Sequence, residues 1–222
     1  MRRPALLLSL LLLGRLASAA SYDQLTVDVW CELEPMFQES DAYPLSAEQA
    51  RLRILEEARG ILSDMIYGLQ FSYTPGDERR KTAEQFVLTR VAEIRWADPR
   101  LQAVQAEVRE GRLYAKVLYE LQEFQSARRK AWESNSIPTA TGTGRFSLFA
   151  GPAPEGKRRS LEEALKDALR NHLRPIVFNK PREVRGELLL WQEPQVLIAS
   201  GSYLTRVTIK LQVREIRAYS LF

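Results

Sequence analysis

The segment Gly151-Pro152-Ala153-Pro154-Glu155-Gly156-Lys157 has the G-x-x-x-x-G-K spacing of a phosphate-binding loop. In such a loop, backbone N–H groups cradle the phosphates and a Ser or Thr after the lysine binds magnesium. Arg158 stands in that place here, and Pro152 and Pro154 each remove a donor. Nucleotide binding is therefore not expected. His172 is the only histidine and Cys31 the only cysteine. Together they exclude a multi-histidine or cysteine-based metal centre and an intramolecular disulfide. No G-x-S-x-G nucleophile elbow occurs. Glu56-Glu57 and Glu162-Glu163 are neighbours on predicted helices, so their carboxylates point apart and cannot flank one bond. Catalytic residues that come from separate elements are not nominated by spacing. Trp30, Trp96, Trp132 and Trp191 are scattered and read as core or surface residues rather than a sugar platform. No catalytic, metal or cofactor-binding residue is expected.

The elements around these residues follow from periodicity. Residues 25–33 alternate, with Leu25, Val27, Val29, Cys31 and Leu33 on one face. Cys31 reads as a buried strand thiol, with intermolecular pairing as the alternative. Ser46-Ala47-Glu48-Gln49 fits a capping box. It opens a helix with an apolar stripe of Ala47, Ala50, Ile54, Ala58, Ile61 and Met65, stopped at Gly68. A short strand is predicted over 69–74, a second helix over 77–92, and a hairpin over 101–121 turning at Glu110-Gly111. Residues 134–157, rich in Ser, Thr, Gly and Pro, read as a linker or long loop. Ser160-Leu161-Glu162-Glu163 reads as a second capping box, with Pro175 ending its helix and His172 positioned as a cation near the C-terminus. Strands follow at 176–178, 187–191, 196–200 and 203–213.

The expected fold class is α+β, with amphipathic helices packed on small, mainly antiparallel sheets. The expected organisation is an N-terminal unit over 20–133, the linker over 134–157 and a C-terminal unit over 158–222. The two halves share an order that fits either a degenerate duplication or ordinary α+β layering. The strand over 203–213 is the longest, with one apolar and one polar face. If it lay at a sheet edge, Tyr203, Arg206, Thr208, Lys210 and Gln212 would form an interaction strand.

The N-terminus speaks to compartment. Arg2 and Arg3 precede an aliphatic run and then Ala17-Ser18-Ala19, the n-, h- and c-regions of a signal peptide over 1–19. The apolar run is too short for a membrane span, and none is expected in the mature chain. Removing Arg2, Arg3 and Arg15 leaves 29 basic against 28 acidic residues, so no nucleic-acid partner is expected.

Residues 47–61, from Ala47-Glu48-Gln49-Ala50-Arg51 to Ala58-Arg59-Gly60-Ile61, and the strand Glu110-Gly111-Arg112-Leu113-Tyr114-Ala115-Lys116-Val117 carry a resemblance. The stretch 47–121 is similar to a family of bacterial envelope domains. That family includes small outer-membrane-associated lipoproteins and the N-terminal domain of flagellar assembly protein T. The resemblance implies a helix on a small sheet and no catalytic residues. The residues before Cys31 do not form a lipobox, which departs from the lipoprotein members. The expectation is an exported, non-enzymatic structural or adaptor protein of the cell envelope. It would be periplasmic or extracellular, beside a flagellar or outer-membrane assembly, and would meet an envelope protein or a second copy of itself. The alternatives are a secreted hydrolase with loop carboxylates and a carrier of an apolar ligand.

Overall fold

A computed structural model describes residues 23–34, 43–151, 153–177 and 180–219. The signal-peptide expectation over 1–19 lies outside them. The described residues form three helices and nine strands, an α+β fold with antiparallel sheets.

The first sheet has three strands in the order β1-β5-β4: β1 (Gln24–Glu32), β5 (Arg112–Glu120) and β4 (Leu101–Arg109). Val27, Val29 and Cys31 are buried, as the alternation of β1 requires. The β4–β5 hairpin turns at Glu110 and Gly111, both at positive φ, which suits the strand twist.

The second sheet is larger. Its order is β3-β2-β7-β9-β6, with β8 also paired to β9. The strands are β2 (Leu69–Thr74), β3 (Gln85–Arg90), β6 (Thr139–Ser147), β7 (Glu183–Leu190), β8 (Gln195–Ala199) and β9 (Ser202–Arg217).

Helix α1 (Ala47–Ile66) has the predicted capping box. Ser46 Oγ accepts from Gln49 N–H at 3.2 Å, and Gln49 Oε1 accepts from Ser46 N–H at 2.9 Å. Its buried face, Ala50, Ile54, Ala58, Leu62 and Met65, packs on β1 and β7. No basic residue lies in its last turn. Helix α2 (Glu123–Ala131), which periodicity did not predict, supplies that charge. Arg129 donates to Met65 O at 2.8 Å, and Arg128 to Tyr67 O. These guanidiniums satisfy carbonyls that a helix end leaves without partners.

Helix α3 (Ala153–Leu173) packs on β6 and β9. The approach is close enough to require glycine. A Cβ on Gly144 would sit 2.1 Å from Ser160 O, and one on Gly142 would sit 2.3 Å from Ala164 O and from Ala168 N. Small residues on both surfaces thus set the helix-to-sheet distance.

Several expectations need correction. The predicted linker over 134–157 holds β6 and the start of α3. The two halves share one sheet, because β2 pairs with β7 (Leu69 opposite Leu188), and one continuous core spans both. The helix predicted over 77–92 is a turn followed by β3. The Asp77 carboxylate accepts from the N–H groups of Arg79 and Arg80, which closes the turn, and Phe86, Val87 and Leu88 then pair with β2. Ser160 is no N-cap. It is buried seven residues inside α3, with its Oγ 2.6 Å from Thr205 Oγ1. Ile176 and Val177 belong to the turn that ends α3, with N–H groups bonded to Leu173 O; residue 178 lies outside the described residues.

Candidate functional site

The predicted interaction strand is β9, and it is an interior strand of its sheet. Over residues 202–210 it pairs with β6 on one side and with β8 and then β7 on the other. It offers no free edge there. Tyr203 is buried, donating its hydroxyl to Glu32 Oε1 at 2.8 Å. Lys210 is buried as well, with its Nζ on Ser134 O and over the Trp191 ring. Thr208 is half-buried, and only Arg206 and Gln212 are exposed. The polar character of alternate positions was legible, but a polar residue on a strand can face a neighbouring segment as readily as water.

Among the terminal strands, β4 is the most exposed. β4 ends the three-stranded sheet, and residues 102–109 are all exposed. Arg109 faces Arg112 across the two-residue turn. Alternation of the ladder from that pair turns the amides of Val108 and Ala106 away from β5. Ala106 and Val108 share the core side of the sheet with Ala115 and Leu113, yet Val108 stays 62% exposed. A bulge between Ala103 and Gln105 interrupts the strand upstream, so the regular free edge is 105–109.

Most of the residues with chemical potential are engaged by the fold. Lys157 of the phosphate-loop-like segment is inside α3 and 6% exposed. Its Nζ lies 3.0 Å from both carboxylate oxygens of Glu57, donates to Trp30 O, and sits 3.9 Å from the Trp30 ring centroid. Residues 153–157 of that segment are helical instead of wrapping a phosphate. Burial pushes the Cys31 thiol up to about 11, and its Sγ faces Ala50 O. Burial lowers the pKa of His172, so it is neutral near pH 7 and does not serve as the expected helix-end cation. Glu56 pairs with Arg59, Glu162 with Arg158, and Glu163 with Lys166. Among the described residues, no three His, Cys, Asp or Glu side chains are grouped to hold a metal.

A groove of about 730 Å³ runs along the outer face of α1 from Leu45 to Asp64. Residues 154–161 of α3 form one wall; Arg90 and Trp96, then Pro194 and Val196, complete it. At one end burial pushes the Asp64 carboxyl up to about 6, against the opposing pull of the Arg90 guanidinium at 2.7 Å. Sequence patterning did not single out this groove, because four separate segments build it.

The fold and these surfaces define an α+β protein with a continuous core, a free strand edge and a lateral groove. The chain belongs to a family of uncharacterised proteins, whose model matches residues 12–219. It is similar to an uncharacterized protein of Treponema pallidum (strain Nichols), 24% identical over 212 residues, covering 92% of this chain and 86% of the relative. No solved structure matches it. No helix among the described residues is long and apolar enough to cross a membrane.

Proposed function

We propose that this is an exported, non-enzymatic adaptor of the bacterial cell envelope that docks a partner protein along the β4 edge. The observation that carries the reading is the exposed β4 strand, whose unpaired amides at Ala106 and Val108 can accept another strand. The signal-peptide pattern at 1–19 and the resemblance of 47–121 to envelope domains of lipoproteins and of flagellar assembly protein T support the compartment. The partner is an envelope protein or a second copy of the chain. The commitment of Lys157 and the paired glutamates to ion pairs within the fold favours binding over catalysis.

Cross-linking in envelope fractions tests the reading. Ala106→Pro and Val108→Pro remove outward amides and leave the β4–β5 ladder bonded. They are expected to abolish a cross-linked species that the parent chain and an Arg206→Ala control both form. Cross-linking that persists in folded Ala106→Pro and Val108→Pro proteins contradicts docking at β4.

A further inference from the structure

We infer that the α1 groove is a binding site for a single-chain amphiphile with a carboxylate head, a long-chain fatty acid in chemical class. This goes beyond the adaptor reading and does not depend on it. The volume of about 730 Å³ is in the range of small-ligand pockets, which are mostly apolar with a few placed polar groups. Leu52, Ile61, Trp96, Leu161, Pro194 and Val196 supply the apolar walls. Leu52 and Trp96 remain 42% and 48% exposed, an arrangement that a bound chain would relieve.

The charges of the lining fix the head group. Each carboxylate there has its own cation: Glu56 has Arg59 at 2.7 Å, Glu57 has Lys157 at 3.0 Å, and Asp64 has Arg90 at 2.7 Å. Arg158 is held by Glu155 and Glu162. Arg53 is the exception. Among the described residues its guanidinium has no ion-pair partner; it donates to Tyr43 Oη at 2.9 Å and lies 5.3 Å from the centroid of that ring. Glu32, which also acts on Tyr43, is bonded to Tyr203 instead. Among the described residues the groove lining thus holds one cation without an ion-pair partner beside an apolar trough, the complement of one anionic head and one apolar tail. A guanidinium also matches a carboxylate in geometry, because it can donate two parallel N–H bonds.

Titration of the purified chain with cis-parinaric acid, read by its fluorescence and followed by displacement, decides the matter. Palmitate should displace the probe about tenfold more effectively than hexadecanol, which has the tail without the charge. Arg53→Gln should erase that difference while leaving hexadecanol unchanged. Leu52→Asp, at an exposed position, should abolish probe binding with an unaltered circular-dichroism spectrum. Arg51→Gln, one residue away and off the groove, should change nothing. The proposal is overturned if the probe does not bind, or if Arg53→Gln weakens both ligands equally. It is also overturned if Leu52→Asp binds normally, or if the chain elutes as a dimer that Leu52→Asp dissolves, since a second copy would then fill the groove. None of these outcomes bears on β4, where the cross-linking readout stands separately.

Discussion

Glu57 and Lys157, a hundred residues apart in sequence, join α1 to α3 through a lysine nitrogen 3.0 Å from both carboxylate oxygens. Lys157 is 6% exposed, so its charge depends on that carboxylate, the Trp30 carbonyl and the Trp30 ring. Breaking such a pair strands a buried charge, which costs more than the pair itself contributes. Glu57→Gln is expected to destabilise the chain by about 3 kcal/mol. The double variant Glu57→Leu/Lys157→Met should lose less than Glu57→Gln alone. Urea unfolding of the three proteins checks this; a double variant less stable than the single one would contradict it.

The contact between β6 and α3 predicts an unusual contrast among glycines. Gly144→Ala would drive a methyl into Ser160 O at 2.1 Å, with helix backbone that cannot rotate away. It should cost about 3 kcal/mol or more, or prevent folding. Gly111→Ala meets nothing within 4 Å and pays only for its positive φ, about 1–2 kcal/mol. Thermal melts of the two variants should differ accordingly, and equal losses would refute close packing of α3 on β6.

How far the sequence reaches can be judged from these same elements. The first helix was legible because Ser46, Gln49 and the Ala50-Ile54-Ala58 spacing agree at every level. The 101–121 hairpin was legible from Glu110-Gly111 and the alternation on either side. β6 was not, because Ala140, Gly142 and Gly144 read as linker composition. Their small size at every second position is the mark of a strand under a helix, a meaning that emerges only once α3 is seen against them. The helix expected over 77–92 failed for the opposite reason. Phe86, Val87 and Val91 have helical spacing, but cross-strand pairing with β2 overrides it. The groove and the β4 edge depend on which segments become neighbours, and periodicity does not encode that. Arg53 carries no local signal at all.

His172 predicts a pH dependence. Burial lowers its folded pKa below the unfolded value of about 6.5. As pH falls below 6.5 the unfolded chain takes up a proton before the native chain does. The His172 contribution to stability is thus complete above that value and lost as pH drops through the folded pKa. Urea midpoints measured from pH 7.5 to 5 should fall more steeply for the parent than for His172→Gln. Parallel profiles would mean that the imidazole titrates equally in both states.

Arg129 predicts that α2 matters to α1. Its guanidinium bonds Met65 O at 2.8 Å and Trp191 O at 3.1 Å, and stacks 4.9 Å from the Trp191 ring centroid. Arg129→Ala leaves those carbonyls without their donor and should cost about 2 kcal/mol. Amide exchange should quicken first in the last turn of α1. Faster exchange confined to α2 would place the role of Arg129 elsewhere.

The docking of a partner on β4 is tested most directly by amide hydrogen exchange at Ala106 and Val108. In the isolated chain both amides face away from β5 and should exchange within seconds. In the complex isolated from envelope fractions they should become protected, while Glu107 and Arg109, already bonded to β5, change little. Fast exchange at Ala106 and Val108 in a complex that protects some other surface would contradict the account.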